Sequence, residues 1–310
     1  MVYDLIIVGG GPGGYTAALY GVRAGLRVLV LERSAAGGQM ALTHWIDNYP
    51  GFEEGIDGFS LAQNMRKHAE RFGEGTVYEE VIALTLETNP KLVQTAQHCY
   101  LAKSVIFATG ADPRKLGLPE EQELTGRGVS YCAACDGMFY RDKRVIVVGG
   151  GNSAVADALL LSRVAKQVTL VHRRDRLRAT PIYNRALEQA KNIQIYWNYR
   201  VSKILSDGMV SGVELTHVTT NKPIQLPCDG IFVSIGRQPV TALVAEQLPL
   251  DSSGYVIAGE DTCTPIPGVY AVGDVRTKQL RQIVTAVADG ATAVHEAEMY
   301  LETLEATELQ

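Results

Sequence analysis

Residues 4–33 and 144–173 repeat one pattern, and nothing else in the chain restricts its fold as strongly. The first copy reads DLIIVGGGPGGYTAALYGVRAGLRVLVLER and the second RVIVVGGGNSAVADALLLSRVAKQVTLVHR, aligned without a gap at an offset of 140. Each passes from an apolar run through a glycine-rich turn and an amphipathic stretch to a second apolar run, the pattern of a βαβ unit. Two such units predict an α/β fold with two Rossmann-like nucleotide-binding domains. The chain has 310 residues, 46% of them apolar, enough for two ordinary hydrophobic cores.

The turns carry the chemistry. Gly9, Gly11 and Gly14 form G-x-G-x-x-G in the first copy, and Gly149, Gly151 and Ala154 form G-x-G-x-x-A in the second, with Asn152 and Ser153 between. The first glycine permits a tight turn, the second admits a pyrophosphate against the backbone, and the third small residue packs the helix onto the strand. The helix N-terminus then offers free N–H groups and a positive dipole end to the phosphates. A dinucleotide is expected at each turn.

The last residue of each second strand separates the two ligands. Glu32 ends the first copy, where a carboxylate accepts from ribose hydroxyls. At the aligned position the second copy has His172, followed by Arg173, Arg174 and Arg178. Guanidinium groups bind a ribose 2′-phosphate that a carboxylate would repel, so the second copy is expected to prefer NADP(H) to NAD(H). The first copy is expected to hold FAD. SVIFATGADP (104–113) is an apolar strand ending in the small-residue turn Ala108, Thr109 and Gly110. GVYAVGDVRTKQLRQ (268–282) is a strand ending at Gly273-Asp274, before a long helix expected to start near Arg281 and Gln282. Asp274 would accept from a ribityl hydroxyl, although an Asp after a strand is taken singly a turn residue or cap.

That Gly-Asp turn has no role left in the second copy, so the carboxyl stretch completes the first domain. The expected order is an FAD domain (1–113), an inserted NADPH domain (114–237), and the rest of the FAD domain (238–310). Residues 76–108 and 193–233 alternate apolar and polar side chains in short runs and predict antiparallel layers. The net charge of -5 excludes a generally nucleic-acid-binding surface. The opening MVYDLIIVGGG shows no signal peptide, and no apolar run would cross a membrane, so a cytoplasmic protein is expected. There, Cys132 and Cys135 in VSYCAACDGMFY are read as catalytic or metal-binding rather than as a lasting structural disulfide. Cys99, Cys228 and Cys263 are isolated and the six histidines scattered, which disfavours a four-ligand zinc site.

On these elements, together with GGQM (37–40), DNYPGF (47–52) and GVSYCAACDG, the chain resembles the low-molecular-weight, bacterial-type thioredoxin reductases over nearly its whole length. The resemblance implies a homodimer that passes a hydride from NADPH to FAD, then to a redox-active Cys132–Cys135 disulfide, and reduces thioredoxin by dithiol–disulfide exchange. By position, Cys135 resembles the flavin-proximal thiol, Cys132 the interchange thiol and Asp136 the acid that delivers protons. Gly38, Gln39 and Asn48 resemble flavin contacts. Because the cysteine pair and the nicotinamide site share the inserted domain, that domain is expected to rotate between half-reactions. Departures are Asn152 and Ala156, where acidic residues are usual, Ala134 in place of a frequent Thr, and Arg237 at the hinge. A relative fed by ferredoxin or discharging to oxygen would lose the nucleotide motifs that stand intact here. A nucleotide- or redox-sensing binding protein is the non-enzymatic alternative.

Overall fold

The computed structural model describes residues 1–43, 45–73 and 75–308. The apolar runs of the repeat form strands because they are rich in Val, Ile and Leu and buried on both faces, as parallel strands must be. Leu5, Ile6 and Ile7 are wholly inaccessible to solvent. Ile6 and Val8 pack into one core with Leu29, Leu31 and Phe107. Leu5 and Ile7 face the other side, with Val28, Val30 and Ile106. Truncating one of these leucines or isoleucines, or Phe107, to Ala costs about 2–5 kcal/mol.

The chain divides into two compact units, Met1–Leu42 with Ile56–Asp112 and Gln238–Gln310, and Thr43–Gly55 with Pro113–Arg237. Residues 43–55, expected with the first domain, group with the second unit. Among the described residues this segment contributes no strand to the first unit's sheet, and in sequence it lies between the helices Gly38–Ala41 and Gly58–Glu70.

In the first unit the strands run in the order Thr76–Val77, Val28–Leu31, Val2–Val8, Cys99–Phe107, Lys91–Thr95 and Val81–Thr85, and Val269–Ala271 also pairs with Cys99–Phe107. The strand Cys99–Phe107 changes partner along its length. Its start pairs antiparallel with Lys91–Thr95, and its end parallel with Val2–Val8 and Val269–Ala271. The antiparallel expectation for 76–108 therefore holds only for the middle of that stretch. The helices Pro12–Arg23 and Ile283–Glu308 share one face of the sheet, where Ala17 and Ala18 pack in one cluster with Ala293, Val294 and Ala297. Gly290 permits their close approach, since a Cβ there would collide with the Gly13 carbonyl oxygen.

The second unit holds a five-stranded parallel sheet in the order Ile193–Trp197, Gln167–His172, Arg144–Gly149, Gly230–Ser234 and Val129–Ser130. A separate antiparallel sheet joins Tyr199–Ser206, Val210–His217 and Pro223–Pro227. The two ends of 193–233 are thus parallel strands, and only its middle is antiparallel.

The repeat is structural as well as sequential. Leu5, Ile6, Ile7 and Val8 pair with Val28, Leu29, Val30 and Leu31, and Val145, Ile146, Val147 and Val148 pair with Val168, Thr169, Leu170 and Val171. It also extends to a third strand. Leu5–Val8 pair with Ser104–Phe107, and Val145–Val148 with Gly230–Val233, at an offset of 126 rather than 140. Gly110 and Gly236, with φ of 72° and 104°, end these strands. Beside that point the segments Ala111–Pro113 and Arg237–Pro239 pair as two short strands, flanked by bonds from Val240 N–H to the Gly110 carbonyl and from Arg114 N–H to the Gly236 carbonyl, both 3.0 Å. Among the described residues no helix is long and apolar enough to cross a membrane.

Candidate nucleotide and redox sites

Parallel strands in register bring their following turns to one carboxyl edge of the sheet, where ligands of such folds bind. In the first unit that edge carries Gly9, Glu32, Ala108–Gly110 and Gly273–Asp274. The glycines of the turn serve different needs. Gly9 has φ of 112°, and a Cβ on it would lie 2.5 Å from the Ala108 carbonyl oxygen. A Cβ on Gly14 would strike the carbonyl of Gly9. Gly11 is different: it caps the helix Pro12–Arg23 in ordinary extended backbone (φ -80°), and nothing lies within 4 Å of where its Cβ would stand. The fold makes no demand for glycine there, so the open space beside the helix N-terminus fits a ligand's approach.

Glu32, 9% exposed, accepts from the Gly10 N–H at 2.8 Å and the Ser34 N–H at 3.1 Å. The following loop folds over the same turn, with Gly37 N–H donating to the Gly10 carbonyl at 2.7 Å. This brings Gly38 and Gln39 to the edge, where the Gln39 amide donates to Asp112 at 3.1 Å. Asn48 belongs to the Thr43–Gly55 segment, which groups with the second unit. Arg281 donates to the carbonyls of Asp274 and Arg276 and lies 3.9 Å over the Tyr255 ring. The helix begins at Ile283, and the Gln282 carbonyl accepts from Ala286 N–H at 3.1 Å.

The second unit repeats the arrangement. Gly151 caps Asn152–Ser162 with φ of -97° and, like Gly11, has nothing within 4 Å of a Cβ position. Ala154 is fully buried beside Gly149. The exposed side chain of Asn152 accepts from Thr180 N–H at 2.9 Å, which fastens the arginine loop to the turn, and Ser153 beside it is exposed. Arg178 N–H donates to the Gly150 carbonyl at 2.7 Å. Arg173, Arg174 and Arg178 are all exposed. His172 is only 6% exposed and lies so close under the turn that a Cβ on Gly150 would collide with its ring. Burial pushes its pKa below 6.5, and its Nε2 has no hydrogen-bond partner.

The cysteines stand on the same carboxyl edge of that sheet. Val129–Ser130 pairs with Gly230–Ser234, which pairs with Arg144–Gly149, so one strand separates the cysteine loop from the second glycine turn. Cys132 and Cys135 are joined as a disulfide, Cα to Cα 5.3 Å, across the short helix Ala133–Asp136. The Cys132 sulfur accepts from Cys135 N–H at 3.2 Å. Ser130 Oγ donates to the Asp136 carboxylate at 2.6 Å, and accepts from Cys132 N–H at 3.1 Å. Cys228 and Cys263 are not rivals for the chemistry, because burial pushes their thiols up to about 12 and about 11.

Comparison with known proteins agrees with this geometry. The family described as pyridine nucleotide-disulphide oxidoreductase matches residues 3–290. A thioredoxin reductase of Treponema pallidum (strain Nichols) is 44% identical over 303 residues, covering 98% of each chain. A thioredoxin reductase of Peptoclostridium acidaminophilum is 43% identical over 308 residues, covering 97% of this chain and 98% of that protein. The chain belongs to the thioredoxin reductase family. The crystal structure of thioredoxin reductase from Streptococcus pyogenes MGAS5005 is similar at a TM-score of 0.91 and 44% identity, over 97% of this chain and 99% of that one.

Members of this family work through a close cysteine pair, and the Cys132–Cys135 disulfide fits that role. Asp289 and Glu121 were invisible to motif reading, whereas Asp157 stands in the sequence as an acid retained beside Ala156. Asp289 is buried against the Gly273–Asp274 turn, with Arg276 and Lys278 as partners. Burial works to raise its pKa, but the bonds from Arg276 and Lys278 prevail and hold the carboxyl below the usual range. Glu121, 2% exposed, accepts from Leu116 N–H, Gly117 N–H and the Tyr131 hydroxyl at 2.8–2.9 Å, tying the entry segment of the second unit to the residue before Cys132. Asp157, four residues beyond Ser153, accepts from the Ser234 hydroxyl, and burial raises its pKa.

Proposed function

We propose that the chain is an NADPH-dependent, FAD-containing enzyme that reduces the disulfide of thioredoxin. The observation that carries this reading is the disulfide standing one strand from a glycine turn on a shared carboxyl edge, with exposed arginines after the adjacent strand. The first unit would hold FAD through Gly9, Gly11, Gly14 and Glu32 at the adenosine end. Gly38, Gln39, Ala108–Gly110, Asp274, Arg281 and Gln282 would serve the rest of the cofactor. The second unit would hold NADPH through Gly149, Gly151, Asn152, Ser153 and Ala154, with His172, Arg173, Arg174 and Arg178 around the 2′-phosphate. Bound FAD would supply the two-electron carrier that links nicotinamide oxidation to disulfide reduction.

The chain's own residues do the thiol chemistry. As the disulfide opens, Asp136, held by Ser130, is the proton donor. The Cys132 thiolate then attacks one sulfur of the thioredoxin disulfide and expels the other as a thiolate. Cys135 attacks the Cys132 sulfur in turn, releasing the second thioredoxin thiolate and restoring the Cys132–Cys135 disulfide. Thioredoxin gains the two electrons that the pair loses.

Since the disulfide and the nicotinamide site ride on one unit, that unit turns between half-reactions about its two connections near Gly110 and Gly236. The test is the visible spectrum of the anaerobic protein before and after NADPH. A flavin band that bleaches with NADPH and much more slowly with NADH supports the reading, whereas a band unmoved by NADPH refutes it.

A further inference from the structure

The first unit brings together stretches of chain far apart in sequence, among them one carrying the Gly9–Gly14 turn and another carrying the Gly273–Asp274 turn. Two adjacent residues of the C-terminal helix join them. Gly290 sits against the Gly13 carbonyl at the start of the helix Pro12–Arg23. Asp289, 6% exposed, receives four hydrogen bonds from the second stretch. Gly273 N–H donates to its Oδ2 at 2.7 Å, Arg276 donates through Nε at 3.0 Å and Nη2 at 2.8 Å, and Lys278 Nζ donates at 2.7 Å. Arg276 also donates to the carbonyls of Ala258 and Thr277, so its guanidinium fastens the Ala258 stretch and its own turn to one carboxylate.

We infer that Asp289 is a positioning residue for the flavin, fixing the Gly273–Asp274 turn at the distance from the Gly9–Gly14 turn that one dinucleotide spans. The inference rests on the reading that the first unit holds FAD. A helix needs no buried carboxylate at this position, and four donors converging on one side chain overdetermine the turn beyond what a loop requires. The turn's N–H and the two cations belong to residues on both sides of Asp274. Loosening Asp289 therefore moves Asp274 without touching it.

Two variants test this. Asp289→Asn keeps the shape but loses the charge. The triple change Arg276→Met, Lys278→Met and Asp289→Leu replaces the whole ionic group by apolar side chains, an exchange that buried clusters often tolerate, while leaving the Gly273 N–H without its acceptor. The readouts are the FAD dissociation constant, the midpoint potential of the bound flavin, and the affinity for adenosine 2′,5′-bisphosphate as a control on the second unit. Both variants are expected to weaken FAD by roughly tenfold or more, the weight of a lost charged hydrogen bond. The potential is expected to shift and the bisphosphate affinity to stay unchanged. FAD held by the triple variant with wild-type affinity and potential overturns the inference, because the cluster is then only structural. A wild-type chain that takes up no FAD overturns the cofactor reading itself, and this inference with it.

Discussion

Glu32 and His172 occupy the same place in the two copies of the repeat, and each closes on the middle glycine of its own turn. Glu32 accepts from Gly10 N–H at 2.8 Å, and the His172 ring lies against Gly150. One fold position thus holds an acceptor in one unit and a buried, neutral ring in the other.

His172 gives the second unit an acid-sensitive stability. Its folded pKa lies below 6.5 because burial disfavours the imidazolium, so the unfolded chain takes up the proton first. Stability is complete above about pH 6.5 and falls as the pH drops toward the folded value. Thermal melts of the second unit across this range should flatten on the acid side in His172→Gln. An unchanged slope would show that His172 titrates as an exposed histidine.

Gly11 and Gly151 separate folding from binding. Both sit in extended backbone with open space at the Cβ position, so Gly→Ala should change stability by less than about 1 kcal/mol, the reduced freedom of the unfolded chain opposing glycine's advantage over alanine at an N-cap. Gly11→Ala should nevertheless weaken FAD, and Gly151→Ala should weaken NADPH. Calorimetry of melting and of binding on the same samples checks both halves of the expectation.

Arg173 and Arg178 should read the 2′-phosphate. Their replacement by Ala is expected to cost NADPH about 1.5–3 kcal/mol per lost charged hydrogen bond and NADH much less. Equal losses for the two nucleotides would assign these arginines to the surface alone.

Cys135→Ser should leave reduction of the flavin by NADPH intact and abolish turnover of thioredoxin, because exchange needs both sulfurs. Stopped-flow absorbance and a coupled disulfide assay separate the two steps. Thioredoxin turnover persisting in the variant would move the redox pair elsewhere.

Glu121→Gln removes the charge that holds Leu116, Gly117 and Tyr131. With Glu121 only 2% exposed, the expected destabilisation is about 2–4 kcal/mol. Amide exchange at Leu116 or Gly117 should quicken more than in the parallel strands, since the two N–H groups use different carboxylate oxygens and the glutamine amide keeps only one.

Much of this organisation was legible in sequence, for a physical reason. Strand pairing in a βαβ unit follows from apolar periodicity and a fixed crossover, so both first strand pairs and both turns could be read directly, down to the shared register of Leu5–Val28 and Val145–Val168. The third strands are related at a different offset, and the likeness of SVIFATG to GIFVSIG went unread. Asp289 and Glu121 were invisible because a lone acid in a helix or loop carries no pattern; only tertiary contacts give each its partners. The antiparallel expectations ran too far at both ends, because a short apolar run does not reveal the direction of its partner.

Gly110 and Gly236 lie just beyond equivalent strands, and the carbonyl of each accepts at 3.0 Å from the other stretch of its own unit, from Val240 and Arg114 respectively. The cut ends of either unit therefore already meet. Splicing Asp112 directly to Gln238 would leave a continuous chain with its sheet intact, and the excised stretch could be closed on itself in the same way. Residues 113–237 are therefore expected to be replaceable at two fixed junctions, whereas the Thr43–Gly55 segment that groups with them would stay behind in the host chain.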